Sequence, residues 1–164
     1  MAKKTSQKNG PIVIAANHKR AFDPLLILTA TKRQVSYLAK SELFHGIPGW
    51  FFRHMGMIPV YREKGNMKAV LAAEKVLEKG GAIGIFPEGK RNYTEQELLP
   101  FRTGAVRLAK QAVCPIVPCA ITGEYRLFRK GIQIKFGKPI SIEAFEIKDA
   151  NQMLQEEIRK LLRK

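Results

Sequence analysis

Acidic charge is scarce in this chain: 14 Asp and Glu stand against 29 Lys and Arg in 164 residues, a net charge of +15 at pH 7. Such an excess calls for an anionic partner, whether nucleic acid, an anionic membrane surface or phosphorylated substrates, and it bears on association and not on fold. Cysteine is scarcer still. Cys114 and Cys119 share one apolar run with no CxxC or His-rich spacing, which excludes a disulfide framework and a zinc site and points to a reducing compartment. Long apolar runs are missing too. Ile12 to Ala16 is followed at once by Asn17 and His18, too short for a signal h-region, so export is not expected. The longest stretches free of charge, 43–52 and 111–123, fall well below the roughly 18 apolar residues that cross a bilayer.

What is present suits a folded domain. Hydrophobic residues make up 45% of the chain, enough to bury a core and to exclude intrinsic disorder, and the length fits one domain spanning 1–164. Residues 11–16 (PIVIAA) read as a strand, and 22–32 as a helix after an Asp-Pro start. Strands follow at 35–39 and 57–61, with an aromatic-rich helical stretch at 41–55 between them. A helix over 66–79 stops at Gly80-Gly81, and a strand over 82–86 ends at a proline. Helix 103–112, strand 115–122, strand 132–136 and a final helix over about 150–162 complete the order, with Leu154, Ile158 and Leu161 spaced for one helix face. Strands alternating with helices imply an α/β fold with a largely parallel or mixed central sheet flanked by helices.

Ligands in open α/β sheets collect at loops leaving the carboxyl ends of strands, and the unusual residues of this chain fall there. NHKRAFD puts His18 at a strand exit and Asp23 five residues on, before Pro24. Asp followed by Pro is an ordinary helix start, yet one carboxylate can cap a helix and also orient an imidazole. An oriented His keeps its second nitrogen as a base for a hydroxyl. No serine or cysteine nucleophile lies within this motif, so the hydroxyl is expected on the substrate. FPEGKRN supplies Glu88, Gly89, Lys90 and Arg91 after a fully apolar strand, and GMIPVYR delivers Arg62 to the same edge. The planar fork of Arg suits phosphate.

These blocks, NHKRAFD at 17–23, GMIPVYR at 56–62, FPEGKRN at 86–92 and IVPCAI at 116–121, occur in the order and spacing of the 1-acyl-sn-glycerol-3-phosphate (lysophosphatidic acid) acyltransferases of the glycerolipid acyltransferase superfamily. The chain resembles that family over about residues 10–140. The resemblance implies transfer of a fatty acyl group from acyl-CoA or an acyl-carrier protein to the sn-2 hydroxyl of lysophosphatidic acid, giving phosphatidic acid. By position, it makes His18 the general base and Asp23 its orienter. It also assigns Arg62, Glu88, Gly89 and Arg91 to the acceptor site, with Lys40 a weaker phosphate contact. No metal and no cofactor beyond the thioester donor is implied. The chain departs from the family at Arg20, where serine is common, at Lys90-Arg91-Asn92, where Thr-Arg-Ser is frequent, and at Cys119. Its first motif strand starts about ten residues from Met1, ahead of which many relatives carry membrane-associating helices; a minimal form or a trimmed chain is expected.

Other acceptors, a different lysolipid or glycerol 3-phosphate, are the enzymatic alternative. A basic nucleic-acid-binding protein is the alternative from another class, but no zinc-finger, RRM or KH pattern supports it and the basic residues are spread along the chain. The expected partners are therefore a lysophospholipid, an acyl thioester and an anionic membrane surface on the cytoplasmic side, approached peripherally. Trp50, Phe51 and Phe52 belong either to the core or to a membrane-facing patch.

Overall fold

The structure, a computed structural model, describes residues 10–60, 67–123 and 131–163, without the side chains of Lys40, Ile47, Pro48 and Phe51. Arg62 lies outside the described residues, as does the side chain of Lys40.

Six strands form one sheet: β1 (Ile12–Ala16), β2 (Val35–Lys40), β3 (Ile58–Val60), β4 (Ala82–Ile85), β5 (Ile116–Thr122) and β6 (Gln133–Phe136). Their order is β3-β2-β4-β1-β5-β6. Every neighbouring pair is parallel except β5 with β6. Among the described residues four α-helices connect strands, α1 (Asp23–Ala30), α2 (Gly46–His54), α3 (Met67–Glu78) and α4 (Gly104–Gln111), and a fifth, α5 (Ile147–Arg163), follows β6. The aromatic-rich stretch divides into a 3-10 turn, Ser41–Phe44, and α2. Strands joined in parallel need crossover helices, which is why the apolar runs alternate with segments of helical period.

Helices cover both faces of the sheet, and β1 shows it most clearly. All five of its residues are buried. Val13 and Ala15 belong to the core shared with α3, α4 and α5, where Leu77, Val106, Leu154 and Ile158 pack. Ile12, Ile14 and Ala16 belong to the opposite core, with Ile27 of α1 and Phe44. A strand buried on both faces has no polar side to present, so its sequence is continuously apolar and not alternating. Full burial of a side chain such as Ile158 contributes about 1.5–3 kcal/mol, and the apolar stripe of α5 delivers Leu154 and Ile158, with Ala150, to one core.

Gly84 in β4 accommodates the Tyr37 ring of β2, since a Cβ there would stand 2.1 Å from the ring. Phe86, just past β4, stacks on Tyr37 with ring centroids 5.5 Å apart. Burial, followed by the influence of Cys119 and Asp23, pushes the Tyr37 phenol well above its ordinary value. It therefore stays neutral beneath the loops described next.

Candidate active site

Adjacent parallel strands bring their carboxyl ends to one edge. Ala15 pairs with Ile85, so the residues leaving β1 and β4 emerge side by side, while β5 runs on to Thr122, past Cys119, the partner of Ala16. Asn17, 1% exposed, continues the β1–β5 ladder with its side chain: Oδ1 accepts the Ile121 N–H at 2.8 Å, and Nδ2 donates to the Ile121 carbonyl at 3.0 Å. His18 follows at a fixed height above the sheet.

The imidazole of His18 lies on the Phe86 ring, with centroids 4.1 Å apart and planes 20° from parallel. Its Nδ1 is 2.9 Å from Asp23 Oδ2. The same oxygen accepts the backbone N–H groups of Lys19 and Arg20, each at 2.7 Å. Asp23 is 0% exposed and opens α1, with Pro24 next, where a missing N–H costs nothing. Its Oδ2 is turned back onto the loop that precedes the helix. An ionised carboxylate only accepts, so the contact places the imidazole proton on Nδ1 and leaves Nε2 as the basic nitrogen.

Two further bonds fix the His18 backbone. Its N–H donates to Glu88 Oε1 at 2.7 Å, and its carbonyl accepts the Asn92 N–H at 2.7 Å. Glu88 Oε2 accepts the Leu99 N–H at 2.8 Å, and the residue is only 3% exposed. The Glu88 carboxylate, expected in the acceptor site, is buried and binds two segments of backbone, satisfying donors that would otherwise be buried without partners. Gly89 turns the chain at φ +70, and a Cβ on it would stand 2.7 Å from Arg102 Nε, so both the backbone and the lack of a side chain are used there. The Arg91 guanidinium lies over the Tyr93 ring, 5.3 Å from its centroid, within range of a cation–π contact.

The chain matches the model of the Acyltransferase family over residues 2–122. It belongs to that family. The family's curated members similar to it include the 1-acyl-sn-glycerol-3-phosphate acyltransferases of Bacillus subtilis, 33% identical over 134 residues (78% of this chain and 66% of that protein), and of Saccharomyces cerevisiae, 33% identical over 148 residues (81% and 48%). The human 1-acyl-sn-glycerol-3-phosphate acyltransferase beta is 33% identical over 116 residues (68% and 41%). This chain spans from under half to about two thirds of the length of these relatives. Its fold is also that of the crystal structure of the 1-acyl-sn-glycerophosphate acyltransferase PlsC from Thermotoga maritima, with a TM-score of 0.79 at 22% identity over 97% of this chain and 69% of that one.

The family's sequence blocks do not by themselves reveal Asn92 or Arg102 as site residues. Asn92 is 5% exposed; its Oδ1 accepts from the Thr94 N–H and hydroxyl, and its Nδ2 donates to the Gln96 carbonyl. The Asn-Tyr-Thr spacing of an Asx turn was the available signal. Arg102 reaches the site through a backbone bond from its N–H to the Pro87 carbonyl at 2.8 Å, a long-range closure with no local signature.

The Glu88 bracket has a direct test. Glu88→Gln places an amide N–H against a backbone N–H, which should cost about 1–3 kcal/mol of stability and speed amide hydrogen exchange at His18 and Leu99. Unchanged exchange at both amides would show that the carboxylate does not hold these loops.

Proposed function

We propose that the chain transfers a fatty acyl group from a thioester donor, acyl-CoA or an acyl-carrier protein, to the sn-2 hydroxyl of lysophosphatidic acid, giving phosphatidic acid. The observation that carries this reading is the His18–Asp23 pair, 2.9 Å apart, at the mouth of a family-matched fold. The imidazole is partly open, with 18% of its side-chain surface exposed, while Asp23 is closed off. That geometry suits a general base working on a hydroxyl brought by the substrate.

In this mechanism Nε2 of His18 takes the proton of the acceptor hydroxyl as its oxygen attacks the thioester carbonyl. A tetrahedral intermediate forms, the carbon–sulfur bond breaks, and the imidazolium returns the proton to the departing thiolate. Asp23 stabilises the transient imidazolium and holds the ring against Phe86. The nearest cysteine is not equipped to be a nucleophile: Cys119 is 0% exposed, and burial pushes its thiol well above the ordinary range. Arg91 and Arg62 are assigned to the acceptor phosphate, and the reaction uses no cofactor besides the donor.

The acceptor and product are amphiphilic, so the enzyme works at an anionic membrane surface. Among the described residues no helix is long and apolar enough to cross a membrane. Attachment then rests on basic residues, each worth about 1 kcal/mol near an anionic leaflet, and on exposed apolar groups. Trp50 is 64% and Phe22 63% exposed. Phe52 packs against the core, 6.3 Å from Phe44, and so is removed from the surface patch. Phe51 lies outside the described side chains.

Purified protein incubated with acyl-CoA or acyl-carrier protein and a panel of lyso-acceptors, with products identified by mass spectrometry, should yield phosphatidic acid from lysophosphatidic acid. His18→Ala should lower the rate by roughly 10²–10⁴, and Asp23→Asn should also abolish most of it. Near-wild-type turnover by His18→Ala would overturn the mechanism, and exclusive use of another acceptor would overturn the substrate.

Sedimentation with liposomes addresses the surface. Binding should rise with anionic lipid content, weaken as salt shortens the screening length below about 8 Å, and fall further in Trp50→Ser. Equal binding to neutral vesicles at high salt would contradict the electrostatic part.

A further inference from the structure

Beside the dyad lies a cleft of about 250 Å³ lined by Lys19, Arg20, Asn92, Tyr93 and Thr94. Both of its walls are tied to His18. Lys19 and Arg20 follow His18 directly, and their N–H groups are held by Asp23 Oδ2. On the other wall the Asn92 N–H binds the His18 carbonyl, while the Asn92 side chain closes the turn that carries Tyr93 and Thr94.

The lining is chemically one-sided. It contains two cationic side chains, a phenol, a hydroxyl and an amide, and no carboxylate. Asp23 is 0% exposed and accepts the backbone amides of Lys19 and Arg20. The volume falls below the roughly 300–1,000 Å³ of sites that enclose a whole drug-sized ligand, so it suits one head group and not a lipid chain. Lys19, Arg20, Tyr93 and Thr94 are exposed, but their backbone is held in place, and two cationic side chains beside hydroxyl, phenol and amide groups are an environment for a phosphate ester because charge-assisted hydrogen bonds to its oxygens are strong.

We infer that the cleft between Lys19-Arg20 and Tyr93-Thr94, bordered by the Arg91 guanidinium that lies over Tyr93, is a phosphate subsite that holds the phosphorylated end of a substrate while His18 acts on the same molecule or its partner. The assignment of that phosphate to a reacting substrate rests on the acyl-transfer reading; the subsite itself does not. Two substrates of that reaction carry the chemistry: the phosphate monoester of the acceptor, and the phosphates of a coenzyme A donor.

The test is a titration of ¹⁵N-labelled protein with glycerol 3-phosphate and, separately, with adenosine 3′,5′-bisphosphate, followed by NMR, with glycerol as the neutral control. At least one phosphate probe should shift the Lys19, Arg20, Tyr93 and Thr94 amides. The Lys19→Gln/Arg20→Gln protein should bind that probe about ten-fold or more weakly. These substitutions keep the backbone donors to Asp23, so the fold should persist; Lys19→Gln alone serves if the double variant does not fold. Kinetics then separate the sources. A raised KM for lysophosphatidic acid with kcat little changed assigns the subsite to the acceptor. A raised KM for acyl-CoA, with acyl-pantetheine lacking the nucleotide phosphates unaffected, assigns it to the donor. Phosphate binding without acyl transfer to any acceptor would keep the subsite and dismiss the activity. No shift by either probe, shifts confined to other residues, or undiminished affinity in the variant would overturn the inference.

Discussion

A carboxylate taken out of water must be given donors, or it neutralises or unfolds its surroundings. Asp23 Oδ2 meets three: the His18 imidazole and the N–H groups of Lys19 and Arg20. One oxygen thus closes the loop from β1 to α1 and selects the histidine tautomer with the same charge. Shape and chemistry cannot be separated here. Moving Asp23 would release two backbone amides at the moment it released the ring, so the basic nitrogen of His18 is available only while the loop is folded.

The rest of the molecule serves that contact. In the order β3-β2-β4-β1-β5-β6, the chain runs from β1 out to β2 and β3, returns to β4 between β2 and β1, and then crosses to β5 on the other side of β1. The connections leaving β1 and β4 therefore run in opposite directions, which puts the switch point between these two strands, where crevices form at their carboxyl ends. Glu88 from the β4 exit and Asn17 at the β1 exit hold the edges of that crevice by pairing backbone groups that have no strand partner. Bracing extends farther. Leu99, whose N–H meets Glu88, has its carbonyl 3.5 Å from Gln155 of α5, while Asn151 of the same helix donates to the Phe101 carbonyl at 3.1 Å. The amphipathic terminal helix therefore supports the loop under the active edge as well as filling the core.

Much of this was legible in the residues, for identifiable reasons. Strands and helices were readable because β-branched runs alternated with helical stripes and were punctuated by Gly80-Gly81 and by prolines, and each observed element falls within a few residues of its expectation. The His18–Asp23 pair was readable because its contact spans five residues and uses local geometry. The structural role of Glu88 was not legible because sequence shows a carboxylate at a strand end but not the amides facing it, one of which is 70 residues away. Asn17 was noticed as a polar residue at a strand exit, while its pairing with Ile121, 104 residues distant, belongs to the tertiary fold alone. The aromatic stretch at 50–52 divided for a related reason: on a helix, residues two positions apart face different sides, so Trp50 is exposed while Phe52 reaches the core.

The claim beneath this account is that Asp23 fixes a neutral His18 with its proton on Nδ1 and a bare Nε2. Long-range ¹⁵N–¹H NMR of protein labelled at the histidine rings reads this directly, with His45→Gln and His54→Gln variants assigning the three signals. At a pH where His18 is neutral, its Nδ1 should show the shift of a protonated, hydrogen-bonded nitrogen and its Nε2 that of an unprotonated one, and Asp23→Asn should erase this preference. A His18 that is predominantly the Nε2–H tautomer, or one whose tautomer is indifferent to Asp23→Asn, would contradict it.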